Sequence, residues 1–250
     1  MIKILALLVA LSTSAAAAAA PKYAADINPL SANSNKTYFQ KNAAPDFWAL
    51  IPYYIPQDTG RGCSAANIAM ILNGARVGMP LTASDELITF KNFLENYADK
   101  TYAKTIKGKG LLTGTVFANT NLAKVLKSAA EKLKITTAAS SIEFVEIDQK
   151  NLTTGRARFT EALKRNEKSA NDFIFFSFVQ GKATGDPEGG AHVATVGAFD
   201  ESKDQVLVLD PDRQYYEPYW ISADKLFEAI RDPASDSEKK VGWIHFKVRD

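Results

Sequence analysis

The hydrophobic pattern changes its period halfway along the chain. In the first half, apolar residues recur at the three- and four-residue spacing of a helix face, as Ile68, Ile71 and Leu72 do. In the second half, β-branched and aromatic residues form short runs between turn signals. The predicted helices are 63–72, 121–133, 156–164, 223–230 and one that begins at Ser84 and carries Leu87, Phe90, Phe93 and Leu94 on one face. The predicted strands are 141–147, 173–179, 192–199, 205–209 and 241–248, and residues 51–55 are expected to be a short strand or an extended segment. Helices first and an antiparallel sheet afterwards indicate an α+β protein.

The first 20 residues have the layout of a secretory signal. Lys3 supplies a positive charge, residues 4–11 are apolar, and residues 15–20 are small. The apolar stretch is too short to span a bilayer, so we expect it to be cleaved. This predicts an exported protein, most simply a bacterial periplasmic one. Residues 21–45 show little periodicity and are expected to be an extended lead-in, followed by one domain over residues 46–250.

Charge excludes one class of partner. Thirty basic residues nearly balance 28 acidic ones, for a net charge of +2, and no strong basic cluster stands out. A surface that follows nucleic-acid phosphates needs clustered Lys and Arg, so no nucleic-acid partner is expected. No later apolar segment is long enough for a membrane span. The oligomeric state stays open, with a homodimer among the options.

Cys63 is the only cysteine, and it follows Gly60 and Gly62 at the predicted start of a helix. Free N–H groups and the positive dipole end there favour a thiolate, the nucleophilic form of sulfur. In an oxidising compartment a lone cysteine cannot form an internal disulfide, which favours a reactive thiol or pairing with another molecule. The alternative is a small buried hydrophobic residue. Gln57, six residues upstream, can add an amide N–H beside the helix end, as an oxyanion hole requires.

Two further residues complete a candidate site. His192 opens one predicted strand and Asp210 ends the next, so an antiparallel hairpin brings the carboxylate within reach of the ring. Cysteine, histidine and aspartate in this order is the layout of papain-like thiol enzymes. His245, in the middle of a strand, is expected to be structural. One cysteine and two histidines cannot form a structural zinc site without carboxylates, so no metal site is predicted.

The chain also resembles the phytochelatin synthase family in two stretches. Residues 57–73 match the family's Gln, five residues, Cys and a small-residue helix that ends in Leu-Asn. The second stretch contains His192 and then Asp-x-x-Arg-x-x-Tyr-x-Pro-x-Trp, which begins at Asp210 and ends at Trp220. The resemblance covers about residues 46 to 232. It departs from the family at Ser64, where glycine usually follows the cysteine.

This resemblance implies a papain-like fold, with the cysteine in an N-terminal helical part and the histidine and aspartate in a C-terminal antiparallel sheet. It also implies an enzyme that acts on glutathione, in which Cys63 attacks the Cys–Gly carbonyl, releases glycine and carries a γ-glutamylcysteinyl thioester. Gln57 would hold the oxyanion. Arg213, Tyr216 and, in place of an expected basic residue, Lys182 are the candidate substrate contacts. No cofactor is expected, and heavy-metal ions enter as activators or as metal–thiolate complexes of the substrate.

Two other functions stay open at this point. One is a papain-like peptidase of the bacteriocin-processing or cell-wall kind, and the other is a non-catalytic protein that binds thiol peptides or metal complexes. For the glutathione enzyme, either water or a second glutathione can accept the acyl group. Because the mature chain has one cysteine and no recognisable second-substrate region, we expect hydrolysis to dominate over synthesis of short phytochelatins.

Overall fold

A computed structural model describes residues 23–32, 36–108, 118–233 and 240–249. In this part of the chain one antiparallel sheet of seven strands has helices on both faces. The strands are β1 Asn28–Pro29, β2 Ser141–Glu146, β3 Asp172–Val179, β4 Ala191–Asp200, β5 Gln205–Leu209, β6 Tyr219–Ser222 and β7 Gly242–Lys247, in the order β1-β6-β5-β4-β3-β7-β2. The helices are α1 Lys36–Lys41, α2 Pro45–Leu50, α3 Cys63–Ala75, α4 Phe90–Asn92, α5 Lys100–Ile106, α6 Asn119–Lys132, α7 Leu152–Asn166, α8 Gln180–Thr184 and α9 Ala223–Arg231.

The central strands are buried on both faces. Along β3, Phe173 and Phe175 pack into the core formed with α2, α3, α5 and α6. Ile174 and Phe176 point the other way, into the core formed with α7 and α9. Strand side chains alternate between faces, so a strand covered on both sides is continuously apolar. Each such side chain stabilises the fold by about 1.5–3 kcal/mol through its burial.

The α+β prediction is confirmed, and most predicted elements lie within a few residues of the observed ones. The strand predicted at 205–209 is β5 itself, and the helix predicted at 121–133 is α6, Asn119–Lys132. Among the residues described, no helix has the length and apolar character needed to cross a membrane. The predicted signal segment, residues 1–20, lies outside the described residues.

Two predicted elements differ from the structure. The helix expected from Ser84 starts later: the chain is irregular up to the cap at Thr89, and Leu87 is exposed. Helical turns follow in α4 and in the π-helix Phe93–Tyr97, which buries Phe93 and Leu94 as predicted. The Asn73 side chain holds this segment by accepting from the Ile88 N–H (2.9 Å) and donating to its C=O (2.8 Å). Those bonds take backbone groups that a helix would need. The short strand or extended segment expected at 51–55 begins instead as a 3₁₀ turn, Ile51–Tyr53, that continues from α2, and the backbone becomes extended at Tyr54.

The lead-in is not simply extended. β1 joins the sheet by pairing Asn28 with Trp220 of β6. Residues 36–41 form α1, which buries Tyr38 and allows its hydroxyl to donate to Glu167 Oε1 (2.7 Å). These six residues lack a helical repeat of apolar positions, so the sequence alone does not predict the helix. Contacts with distant parts of the chain stabilise it instead.

Candidate active site

Cys63 is the first residue of α3, a helix whose 13 residues are all buried. Its side chain lies at the helix end where N–H groups have no partner within the helix. The preceding residue has to be small, because a Cβ added at Gly62 would lie 2.9 Å from the Phe90 ring. This packing brings the start of α3 close to the Phe90 ring, and Cys63 keeps 7% of its surface exposed.

A buried asparagine fastens the cysteine helix to the histidine strand. Asn67, one turn after Cys63, donates to the C=O of Cys63 (2.9 Å) and of Val193 in β4 (2.9 Å). Its own oxygen accepts from the Thr195 hydroxyl at 2.5 Å. Since Val193 is the neighbour of His192, these bonds set the distance between the helix start and the ring. Our sequence analysis missed Asn67, although a polar residue inside a wholly apolar helix face was the available signal.

His192 and Asp210 form a close pair. His192 lies at the start of β4, opposite Phe178 of β3, and Asp210 directly follows β5. The ring Nε2 is 2.6 Å from Asp210 Oδ1, and both side chains are buried. Cys63 lies close enough to His192 to help raise the pKa of the ring. The thiol, the imidazole and the carboxylate therefore lie together in one site.

The positive charge of His192 and the negative charge of Asp210 stabilise each other. Burial acts to lower the pKa of His192, but the Asp210 carboxylate and Cys63 outweigh it and raise that pKa well above the usual value. Burial likewise acts to raise the pKa of Asp210, but His192 and the hydrogen bonds to the carboxylate lower it. Both shifts favour an imidazolium beside a carboxylate. Such a histidine can protonate a departing group.

Four donors surround the Asp210 carboxylate. Oδ1 accepts from His192 and from the Asp212 backbone N–H (2.9 Å). Oδ2 accepts from Gln180 Nε2 (3.2 Å) and the Tyr219 hydroxyl (3.3 Å). The Tyr54 hydroxyl donates to the backbone C=O of Asp210. The carboxylate orientation is thus determined from several elements, and our sequence analysis had identified neither Gln180 nor Tyr219.

A cleft of about 870 Å³ opens beside the histidine. It is lined by Pro56, Gln57, Asp58, Thr59, Gly60, Gln180, Ala191, His192, Asp212, Arg213, Gln214 and Tyr215. Gln57 is held there by its backbone N–H, which donates to the Pro211 C=O (2.9 Å). Its side-chain Oε1 is buried and accepts no hydrogen bond from the described residues. Gln57 thus lines the cleft, and no hydrogen bond from the described residues to this oxygen fixes the orientation of its amide.

The three predicted substrate contacts lie in different places. Arg213 lines the cleft with its guanidinium 4.8 Å from the centre of the Tyr54 ring, and no described carboxylate pairs with it. The structure does not bring the other two to the cleft. Tyr216 is buried and donates to Asp186 Oδ2 (3.0 Å), while Lys182 pairs with Asp232.

The remaining candidate groups lie elsewhere. His245 contacts Asp172 on the neighbouring strand, a structural arrangement. Among the residues that the structure covers, no group of three or more His, Cys, Asp and Glu side chains is arranged to hold a metal ion. A thiol, an imidazole and a carboxylate in contact can carry out nucleophilic acyl transfer without one.

Comparison with known proteins identifies the family. The model of the phytochelatin synthase family matches residues 23–243, a range that includes Cys63, His192, Asp210 and the cleft. None of the curated proteins compared with the chain matches it. Because the matched range spans most of the sequence, from β1 into β7, the chain belongs to the phytochelatin synthase family.

Proposed function

We propose that this protein is a papain-like thiol acyl-transfer enzyme that acts on glutathione or a related γ-glutamyl peptide. The supporting observation is the His192–Asp210 contact at 2.6 Å, with Cys63 at a helix start close enough to the same ring to raise its pKa. Membership of the phytochelatin synthase family supports glutathione as the substrate.

In the first half of the proposed reaction, the Cys63 thiolate attacks the carbonyl carbon between cysteine and glycine. The oxyanion that forms accepts hydrogen bonds from the backbone N–H of Cys63 and the side-chain amide of Gln57. The C–N bond then breaks, and the His192 imidazolium gives its proton to the leaving nitrogen. Glycine departs, and the γ-glutamylcysteinyl group remains on sulfur as a thioester.

In the second half, neutral His192 takes a proton from the acceptor as it attacks the thioester. Water gives γ-glutamylcysteine, and a second glutathione gives a two-repeat phytochelatin. Water is present at roughly 55 M, so a glutathione acceptor competes only where binding raises its effective concentration. We propose that hydrolysis dominates. Heavy-metal ions act in this scheme as thiolate complexes of the substrate.

Arg213 is the proposed contact for the α-carboxylate of the γ-glutamyl group. Its guanidinium lies at the cleft without a described carboxylate partner, which leaves its donors available. A carboxylate bound there would be held by the parallel N–H groups that arginine presents. We further propose that the protein works outside the cytoplasm, on the basis of residues 1–20, and immunodetection in periplasmic and cytoplasmic fractions tests this.

The test is product analysis on purified protein with glutathione as the only peptide. Mass spectrometry at several glutathione concentrations, with and without cadmium, should show mainly glycine and γ-glutamylcysteine. The two-repeat product should be minor and should increase with glutathione concentration. Cys63→Ser should abolish release while the protein stays folded.

Other outcomes separate the alternatives. Cleavage of longer peptides but not of glutathione would favour a papain-like peptidase, and binding without cleavage would favour a thiol-peptide binding protein. Phytochelatin oligomers that dominate at low millimolar glutathione would contradict the proposed preference for water.

A further inference from the structure

Asp212 is a second carboxylate on the histidine side of the cleft. It lies two residues after Asp210 and lines the cleft together with His192. Its backbone N–H donates to Asp210 Oδ1 (2.9 Å), the same oxygen that contacts His192 Nε2. The turn that orients the Asp210 carboxylate therefore also fixes Asp212 next to the ring.

No lysine or arginine of the described residues pairs with Asp212, and the cation beside it is the His192 imidazolium. No lysine or arginine side chain there lies within ion-pair distance of it, and the guanidinium of its neighbour Arg213 lies over the Tyr54 ring. Burial raises the pKa of Asp212, His192 opposes this, and the carboxylates of Asp210 and Asp186 add to it. Where both carboxyls are ionised, Asp210 and Asp212 place two negative charges against the single positive charge of His192, so a ligand beside Asp212 meets a net negative charge.

The chemistry of the site assigns this position to the leaving group. In the proposed reaction His192 protonates the leaving nitrogen, so the leaving group must lie on the histidine side of the attacked carbonyl. In glutathione that group is glycine, whose free carboxylate repels a carboxylate nearby. Glycine joined through an amide, ester or peptide bond carries no such charge.

We propose that Asp212 is a specificity-determining residue that selects against leaving groups with a free carboxylate. The preferred substrates are then γ-glutamylcysteinylglycine compounds whose terminal carboxyl is blocked by an amide, ester or peptide bond. This inference rests on the proposed function and narrows its substrate class.

The experiment varies two charges independently: the one on the leaving group of the substrate and the one on residue 212. Glutathione and its glycinamide analogue are compared by kcat/KM for release of glycine or glycinamide, at about pH 8, where carboxyls are ionised. The proteins are the wild type, Asp212→Asn, Asp212→Glu and Asp58→Asn. Asp58 is a carboxylate that lines the same cleft beside Gln57, so its variant controls for the general charge of the cleft.

The readout is how the amide-to-acid preference changes between variants, because glycinamide is also a better leaving group chemically. Asp212→Asn should reduce this preference about fivefold, the size of one interaction between partly exposed charges. The reduction should come mainly from faster turnover of glutathione, and about 0.5 M salt should shrink the wild-type preference. Asp212→Glu and Asp58→Asn should keep the preference.

An unchanged preference in Asp212→Asn would overturn the inference, as would an equal loss in Asp58→Asn. If Asp212 acts only through His192, both substrates slow equally, which also overturns it. A higher wild-type kcat/KM for glutathione than for its amide would show that a cation such as Arg213 binds the glycine carboxylate instead. If the wild type releases neither glycine nor glycinamide, the proposed function itself fails and this inference with it.

Discussion

Replacing Asp210 by asparagine tests the electrostatic part of the proposed site with little change of shape. The asparagine oxygen can stay toward His192 and the Asp212 N–H. Its NH₂ then faces Gln180 and Tyr219, and both can reverse their roles: the glutamine amide by flipping, the tyrosine hydroxyl by rotating to accept. We therefore expect Asp210→Asn to fold with nearly the wild-type stability.

The loss of charge has a defined cost. A hydrogen bond to a charged group contributes about 1.5–3 kcal/mol and a neutral one about 0.5–1.5 kcal/mol, so the His192 contact weakens by about 1–2 kcal/mol. That corresponds to a decrease of roughly 5- to 30-fold in kcat/KM for glycine release. The Asp210 carboxylate raises the pKa of His192, so its removal makes the imidazolium lose its proton at lower pH. The alkaline limb of the pH profile should move to lower pH.

The assay is the pH dependence of kcat/KM for glycine release, with chemical denaturation of the same samples. Asp210→Ala is the contrasting variant, because it leaves the buried donors of Gln180, Tyr219 and His192 without an acceptor. It should lose about 3–5 kcal/mol of stability. If Asp210→Asn has the wild-type rate and an unmoved alkaline limb, the carboxylate has no electrostatic role in the reaction.

Three further predictions concern stability. Asn67→Ala leaves two buried groups on β4, the Val193 C=O and the Thr195 hydroxyl, without their hydrogen-bond partner. It should lower the free energy of unfolding, measured by chemical denaturation, by about 2–4 kcal/mol. A loss below about 0.5 kcal/mol would contradict the role of Asn67 in joining α3 to β4. Burial raises the pKa of Asp46, so the folded state keeps a proton that the unfolded state releases, and stability falls as pH rises above the ordinary carboxyl range. Asp46→Asn should flatten this decline in thermal melts between about pH 4 and pH 8, and an unchanged slope would assign it to other groups. Gly62→Ala should cost about 1–2 kcal/mol by pushing the Phe90 ring, whereas the control Gly60→Ala, with open space around it, should cost less; equal effects would refute the packing argument.

Elements with a strong local signal were predicted from the sequence, and those determined by distant contacts were not. The runs at 173–179 and 205–209 are apolar except for Ser177 and Gln205, because both faces of their strands are covered, and this pattern is visible in the sequence. The segment after Ser84 also has apolar residues at helical spacing. The side chain of Asn73 binds the backbone of Ile88 there, and the helix begins only after that contact, at Phe90.

For the candidate site, residue chemistry alone singled out Cys63, His192 and Asp210. One cysteine at a helix start, a histidine that opens a strand and an aspartate that ends the next are visible as residue types at element ends. The family resemblance rested on the same positions and agrees with the family match.

Only the tertiary structure revealed what holds these groups and what surrounds them. Asn67, Gln180 and Tyr219 make hydrogen bonds to residues 9 to 128 positions away, and no local pattern encodes such partners. The same holds for Lys182, which by residue type resembled a substrate contact and instead pairs with Asp232. A sequence lists the groups that can act, but their surroundings depend on which elements pack together, because hydrogen bonds and charges operate over a few ångströms of space rather than along the chain.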